Sequence, residues 1–171
     1  AIDAATKGIS VVSTGERGLK VLGNEEQVTM AVANLVANAV HYSDPESTVL
    51  VTTRVDDEFV ASSVVDQGIG IPTGEIERIF ERFYRVDPAR HRSTGGTGLG
   101  LAIVKHVAAT HGGDISVWSV QGQGSTFTLT LPRNPSPEHG SGTSPVEVLV
   151  PVDADSRSTS HVRRTQQETT S

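Results

Sequence analysis

The sequence predicts an α+β fold, a two-layer sandwich in which helices cover one face of a mainly antiparallel sheet. Two long amphipathic helical patterns occur, at residues 24–42 and 98–110, and a shorter one at 73–83. The β-prone runs come in neighbouring pairs with short turns, as in 47–66 and 114–131. Helices and strands do not alternate singly, so the rhythm of a parallel βαβ sheet is missing.

Three strand pairs are expected. Residues 9–13 and 19–22 are predicted to form a hairpin around Gly15. Runs 47–55 and 58–66 are joined by two aspartates, and runs 114–120 and 125–131 are separated by a glycine-rich turn. Each pair predicts two antiparallel strands.

Three helices are expected. Asn24 is a suitable N-terminal cap with Gln27 three residues later, and the apolar pattern that follows ends near Tyr42. Residues 73–83 predict a short amphipathic helix, and 98–110 predict a third helix closed by His-Gly-Gly.

Composition excludes several classes of protein. The 171 residues contain no cysteine, so disulfides and thiolate metal sites are absent. The net charge of −6 argues against a nucleic-acid binder. The apolar runs are too short to span a membrane, and the first ten residues lack the pattern of a signal peptide.

The amino-acid composition changes after residue 132. Residues 133–171 are rich in Pro, Ser, Thr and Gly, which predicts a disordered tail. The apolar run 146–152 is the exception. It is either an added edge strand, a segment that docks on a partner, or a stray apolar patch.

Asn34 and Asn38 are spaced by four residues, which places both amides on one face of the first helix. One interpretation is a pair of surface amides satisfied by nearby backbone. The other is an oxygen ligand for Mg²⁺, which shares its coordination with water and nucleotide phosphates.

Asp66 ends a strand and is followed by Gly68 and Gly70. The glycines allow positive φ and close approach of the backbone to a ligand. A carboxylate that faces a pocket here needs a donor, and the exocyclic amine of adenine is a suitable one. The alternative is a plain Asx-turn.

A glycine-rich stretch leads into the last helix, with glycines at 96, 98 and 100. The first turn of a helix offers unpaired N–H groups to an anion, so this stretch predicts a phosphate site rather than a flexible loop. Three upstream arginines could neutralise phosphate charge: Arg85, Arg90 and Arg92. The stretch is neither a Walker loop nor a dinucleotide-binding fingerprint.

Together and in this order, five motifs closely resemble the ATP-binding domain of sensor histidine kinases. That group belongs with gyrase-type topoisomerases and heat-shock chaperones and has a Bergerat-type fold. The matching segments are the asparagine box 34–42, the glycine boxes 66–70 and 96–101, the phenylalanine box 79–85, and the last strand motif 122–127. The resemblance spans residues 8–132.

The resemblance implies roles for individual residues. Asn38 would ligate Mg²⁺ and Asn34 would position the reacting groups of ATP. Tyr42 would stack beside adenine, Asp66 would accept from its amine, and Arg85 would reach the γ-phosphate from a lid. The other nucleotide-binding residues would be His41, Gly68, Gly70, Ile71, Tyr84, Gly96, Thr97, Gly98, Leu99, Gly100 and Thr126.

Two of these positions carry further expectations. Thr126 would support the base pocket through Asp66 or a water. His41 stands where many relatives of this group carry Lys or Arg, so a phosphate contact from it would depend on pH.

The acceptor histidine is expected outside this sequence. In this group it is usually followed by Asp or Glu, and none of the histidines here is: 41, 91, 106, 111, 139 and 161. Residues 1–7 are therefore expected to end an upstream dimerisation helix, with the catalytic domain at 8–132.

The hydrolytic relatives carry Glu where this chain has Asn34. An amide cannot take a proton from water, so transfer to an imidazole is favoured over hydrolysis.

The resemblance also implies partners and a location. The expected partners are the chain's own upstream dimerisation domain and a cognate response regulator, with no nucleic acid and no membrane contact by this stretch. It is expected to be monomeric and cytoplasmic, within a homodimeric, membrane-anchored parent. The alternatives are a catalytically silent module that binds nucleotide or docks a regulator, and a serine-phosphorylating anti-sigma factor of the same fold.

Overall fold

The computed structural model describes residues 4–86, 97–134 and the backbone of 145–147. Two α-helices cover one face of a five-stranded sheet. The helices are α1 (Glu25–Tyr42) and α2 (Gly100–Thr110). The strands are β1 (Ser10–Gly15), β2 (Lys20–Leu22), β3 (Thr48–Val55), β4 (Phe59–Asp66), β5 (Asp114–Val120), β6 (Gly124–Pro132) and β7 (Pro145–Glu147).

The main sheet has the strand order β1-β3-β4-β6-β5. The pair β1–β3 is parallel, and the other three pairs are antiparallel. The predicted mainly antiparallel α+β sandwich is therefore confirmed, and so are the hairpins β3–β4 and β5–β6. In this register Asp66 at the end of β4 lies opposite Ser125 near the start of β6.

Alternation along the strands builds the core. Every second side chain of β4 and β6 is buried, as a sheet with one covered face requires. These side chains pack against the apolar stripes of α1 and α2. The most deeply buried members include Leu35, Val60, Val64, Val104 and Leu129, each at 2% exposure or less.

The predicted hairpin of 9–13 and 19–22 is wrong. β1 pairs with β3, which follows it by some forty residues, and β2 lies in a separate two-stranded sheet with β7. Val21 of β2 is fully buried in the core, next to Val28 and Leu129. Burial of Val21 and a ladder of six residue pairs with β3 outweigh the local turn signal at Gly15.

The strand β7 bears on the predicted tail. Residues 145–147 pair antiparallel with β2, so the edge-strand alternative holds for the start of the run 146–152. The remainder of that run and most of 135–171 lie outside the described residues.

The first helix begins as predicted. The Asn24 side chain accepts a hydrogen bond from the Gln27 N–H at 3.0 Å, and α1 ends at Tyr42. The helix α2 starts at Gly100, two residues later than predicted. Among the described helices, none has the length and apolar character needed to cross a membrane.

The predicted helix at 73–83 is wrong. The chain forms two 3₁₀ turns instead, Thr73–Glu75 and Arg78–Phe80. Glu81 is extended, and Phe83 has a φ of 65°, which an α-helix does not tolerate. The Phe83 N–H donates to the Gly98 carbonyl at 3.0 Å, so a contact with the glycine-rich stretch replaces the helical bond.

Candidate functional site

A cleft of about 720 Å³, measured with its open mouth, lies where α1 and β4 end. It brings together residues from four of the sequence motifs. Its lining consists of Asn38, Tyr42, Asp66, Ile69, Gly70, Ile71, Ile79, Tyr84, Arg85, Val86, Ser125 and Phe127. The predicted residues among these are Asn38, Tyr42, Asp66, Gly70, Ile71, Tyr84 and Arg85.

Asp66 forms the floor of the cleft and is 5% exposed. Its Oδ1 accepts hydrogen bonds from the Gly68 N–H at 2.9 Å and the Ser125 N–H at 3.2 Å. Burial raises the pKa of Asp66, and the two backbone donors offset part of that rise. Both donors reach the same oxygen, which leaves Oδ2 outside these bonds and suited to a ligand donor.

Two glycines hold the loop after Asp66 against its neighbours. A Cβ on Gly68 would collide with the Tyr42 carbonyl oxygen, and one on Gly70 would collide with the Val120 carbonyl oxygen. Gly70 also has a φ of 64°. The loop is therefore wedged between the end of α1 and the end of β5, and a side chain at either position would force these elements apart.

The prediction for Thr126 is corrected by the strand register. Thr126 lies opposite Val65 and Trp118, and Trp118 is 64% exposed on the face away from the helices. Ser125 and Phe127, the neighbours of Thr126 in the chain, line the cleft. Because side chains alternate along a strand, the Thr126 side chain points to the other face of the sheet. Ser125 is the residue that contacts Asp66.

Ser119 is a further residue that sequence reasoning missed. Its hydroxyl accepts from the Ile71 N–H at 2.8 Å and donates to the Gly124 carbonyl at 2.9 Å. It also lies 3.0 Å from the Ser125 hydroxyl. Ser119 therefore ties the loop after β4 to the β5–β6 turn. The small polar side chain next to a glycine turn was the available signal.

The N-terminus of α2 carries no side-chain cap among the described residues. Leu99 precedes the helix, and the first turn holds no acidic residue. Gly98 has a φ of 69°, and a Cβ on it would lie 3.0 Å from Phe83 backbone atoms. The first N–H groups of α2 and the positive end of its dipole are thus left for an anion.

The two asparagines of α1 face this helix start. The Asn34 Nδ2 donates to the Met30 carbonyl at 3.0 Å. A Cβ on Gly100 would lie 3.2 Å from Asn34 Oδ1 and 3.7 Å from Asn38 Nδ2. Asn38 lines the cleft, whereas Asn34 is not among its lining residues. The amide pair therefore lies at the beginning of α2, where phosphate binding is expected.

Arg85 and Tyr84 also line the cleft. One terminal nitrogen of the Arg85 guanidinium, Nη2, is buried and has no hydrogen-bond acceptor among the described residues. Leaving a buried guanidinium nitrogen unpaired is unfavourable, so an anionic ligand would relieve it. The Arg78 guanidinium lies 4.1 Å from the ring centre of Tyr84 and supports that wall from outside.

The other predicted residues stand as follows. His41 packs edge-on against Tyr42, with ring centres 4.7 Å apart, and does not line the cleft. Thr97 is exposed and Leu99 is half-buried at the start of α2. Gly96 lies outside the described residues, as do Arg90 and Arg92.

Residues 23–135 match the family described as histidine kinase-, DNA gyrase B-, and HSP90-like ATPase. The chain is 50% identical over 137 residues to the sensor-like histidine kinase SenX3 of Mycolicibacterium smegmatis, covering 80% of this chain and 36% of SenX3. It is 46% identical over 120 residues to the sensor histidine kinase WalK of Bacillus subtilis, covering 68% of this chain and 20% of WalK. This chain therefore spans about a third or less of these curated relatives.

Solved structures agree with the sequence matches. The mycobacterial sensor histidine kinase MprB superposes with a TM-score of 0.65 at 34% identity, over 75% of this chain and 85% of that one. Full-length ShkA in complex with AMPPNP gives 0.66 at 33% identity, over 76% of this chain and 27% of that one. Fold, cleft and sequence agree: the chain belongs to the histidine kinase-, DNA gyrase B-, and HSP90-like ATPase family.

Proposed function

We propose that this chain binds Mg-ATP and transfers the γ-phosphoryl group to a histidine on a separate dimerisation domain, as the catalytic domain of a sensor histidine kinase. One observation carries the proposal. Asn38, Asp66 and Arg85 are far apart in sequence yet line one cleft, beside a helix N-terminus that no described side chain caps. The cleft thus has a carboxylate at one end and anion-binding groups at the other.

The carboxylate end suits adenine. Asp66 accepts from the exocyclic amine with its free oxygen, while Oδ1 stays engaged by the backbone. Tyr42 is 37% exposed at the rim and offers a ring face to the base. Ile69, Ile71 and Phe127 supply the apolar walls that a purine needs.

The other end suits a magnesium-bound triphosphate. The Asn38 amide oxygen is a hard ligand for Mg²⁺, which when bound neutralises charge on the transferring phosphoryl group. The first N–H groups of α2 would hold phosphate oxygens, and the Arg85 nitrogen that has no acceptor among the described residues adds a donor. Asn34 and Gly100 set the distance between α1 and α2. Gly96, Thr97 and His41 remain proposed contacts.

The residues favour transfer over hydrolysis. Asn34 offers an amide where a water-activating base would be needed, and its Nδ2 is already bound to Met30. A neutral imidazole nitrogen needs no such base. The acceptor would belong to an upstream dimerisation domain whose last helix ends within residues 1–7, and a response regulator would receive the phosphoryl group. We include in the proposal a homodimeric, membrane-anchored parent with this domain in the cytoplasm.

A two-stage experiment tests the function. The chain is first titrated with Mg-ATP and with a non-hydrolysable analogue by calorimetry. It is then mixed with a histidine-bearing two-helix hairpin and γ-labelled ATP, and acid-labile phosphate is measured on each component. Label is expected on the hairpin and not on this chain. Binding without transfer would favour the catalytically silent module, and stable acid-labile label on this chain would contradict the proposal.

A further inference from the structure

The C-terminus of α1 is held by a lysine from the segment that precedes β1. The Lys7 ammonium group donates to the carbonyl of His41 at 2.7 Å, of Val40 at 3.2 Å and of Ser43 at 3.4 Å. A helix leaves its last carbonyls without partners and carries partial negative charge at this end. The half-buried Lys7 ammonium group donates to three of these carbonyls and also offsets the negative charge at this helix end.

The carbonyls of the last turn can be followed one by one. The Ala39 carbonyl accepts from the Ser43 N–H at 3.0 Å. Those of Val40 and His41 accept from Lys7. The Tyr42 carbonyl faces Gly68, so closely that a Cβ on Gly68 would collide with it. The last turn of α1 is therefore clamped between Lys7 on one side and the loop after Asp66 on the other.

Lys7 is itself held in place. Its carbonyl accepts from the Glu46 N–H at 2.9 Å, in the loop between α1 and β3. Two residues later Ile9 is 6% exposed, and its N–H donates to the Ala4 carbonyl at 2.9 Å. The ammonium group is thus carried by an anchored segment rather than by a free terminus.

We infer that Lys7 is a positioning residue for the nucleotide cleft, because the turn it clamps carries Tyr42 and lies one turn after Asn38. Both side chains line the cleft. The inference rests on the proposed function for its consequence, nucleotide affinity. It adds that the segment before β1 and the base end of the cleft form one mechanical unit. Displacing that segment loosens Tyr42 and the Gly68 loop together.

The test uses the full 171-residue chain and three variants. Lys7→Met keeps the length of the side chain but removes the charge and the donors, and Lys7→Arg restores both. Lys20→Met is the matched control, since Lys20 is exposed on β2. Amide hydrogen exchange is measured at residues 40–44, at Gly68 and, as a remote reference, at Val60. Affinity for a magnesium-bound ATP analogue is measured by calorimetry.

In Lys7→Met, exchange at 40–44 and at Gly68 is expected to be roughly tenfold faster, with Val60 unchanged. Affinity is expected to fall by about 3- to 10-fold, the equivalent of one ordinary hydrogen bond, because Lys7 acts on the nucleotide only through the turn it holds. Lys7→Arg recovers both properties, and Lys20→Met alters neither. Should Lys7→Met fail to fold, Lys7→Ala, which also removes the charge and the donors, is judged by the same criteria.

Faster exchange at 40–44 with Gly68 and affinity unchanged would overturn the inference, since Lys7 would then be a local helix cap. If the wild-type chain binds no nucleotide, the proposed function fails by itself. The exchange at Gly68 then decides the inference independently: faster exchange supports the clamp, and unchanged exchange overturns it.

Discussion

The two ends of the cleft are built in opposite ways. At the base end, Asp66 ends β4 opposite Ser125 of β6, is 5% exposed, and uses one oxygen to bind two backbone N–H groups. At the phosphate end, α2 begins without a side-chain cap among the described residues, and a buried Arg85 nitrogen has no acceptor there. At the base end the protein itself supplies hydrogen-bond partners to Asp66. At the phosphate end the described residues leave hydrogen-bond donors for a ligand.

The two helices repeat this contrast. The N-terminus of α1 lies far from the cleft and is capped by Asn24, whose own N–H donates to His111 Nε2 at 3.0 Å. The N-terminus of α2 lies at the cleft and is preceded by Leu99. Capping stabilises a helix by about 1 kcal/mol, so its omission at α2 costs stability. The difference supports the proposal that the start of α2 binds an anion.

The base end should give the largest effect. In Asp66→Asn the amide cannot accept from adenine and also accept from the Gly68 and Ser125 N–H groups, because one of its two positions is now a donor. Affinity for Mg-ATP is expected to fall by about 10- to 100-fold, the range of a hydrogen bond to a charged group. Calorimetry measures it, with Asp57→Asn at an exposed turn as control. Unchanged affinity would remove Asp66 from the site.

The phosphate end is tested by closing it. Leu99→Asp places a carboxylate at the start of α2, where the helix dipole favours it by about 0.3–1 kcal/mol. The same charge repels phosphate, so affinity for Mg-ATP should fall by about tenfold. Urea unfolding and calorimetry report the two quantities. Leu99→Asn is the uncharged control of the same shape, and equal affinities in the two variants would show that no phosphate binds there.

The junction between the helices should respond more weakly. In Gly100→Ala the new Cβ would lie 3.2 Å from Asn34 Oδ1, so α2 or the amide must shift by a few tenths of an ångström. Alanine favours the helix by about 1 kcal/mol, yet affinity is expected to fall by about threefold. Gly74→Ala is the control, since nothing lies within 4 Å of its added Cβ. A variant that is more stable and binds equally well would contradict the tight junction.

The sequence predicted most of the sheet and the position of the cleft, because those features have local signals. Alternation defines β4, and Asn24 with Gln27 defines the start of α1. Alternation also contained the correction at β6: with Phe127 facing inward, Ser125 shares its face and Thr126 does not. Placing Ser125 in the cleft requires knowing that Phe127 faces inward. The family resemblance implied a site role for Thr126 instead.

Other features have no local signal. The parallel pairing of β1 with β3 joins residues on either side of α1, and its alternative was a nearby turn at Gly15. The Lys7 contacts join residues 33 to 36 positions apart. The chain at 73–83 is already extended at Glu81, and the Phe83 N–H bonds to the Gly98 carbonyl, a contact that no helical periodicity reveals. Each miss is a tertiary contact that outweighs a local propensity.

The base end also predicts a dependence of stability on pH. Burial raises the pKa of Asp66 above its ordinary value of 3.8, so the folded chain binds this proton more tightly than the unfolded chain. The contribution of Asp66 to the free energy of unfolding therefore falls as pH rises from 3.8 through the raised pKa, by at most about 1.4 kcal/mol per pH unit. Asp66→Asn lacks this proton, so its stability relative to the wild type should increase across that window and then level off.

Nucleotide binding should show the opposite trend in the same window. The ionised carboxylate accepts from the adenine amine, and protonation weakens that acceptor, so the affinity of the wild type should decrease as pH falls through the raised pKa. Urea unfolding and calorimetry at matched pH values, each on wild type and Asp66→Asn, separate this residue from the other titrating groups. If the difference in the free energy of unfolding between wild type and Asp66→Asn does not change with pH, Asp66 is solvated. The base end of the cleft would then not be built around a buried carboxylate, and the contrast with the phosphate end would fail.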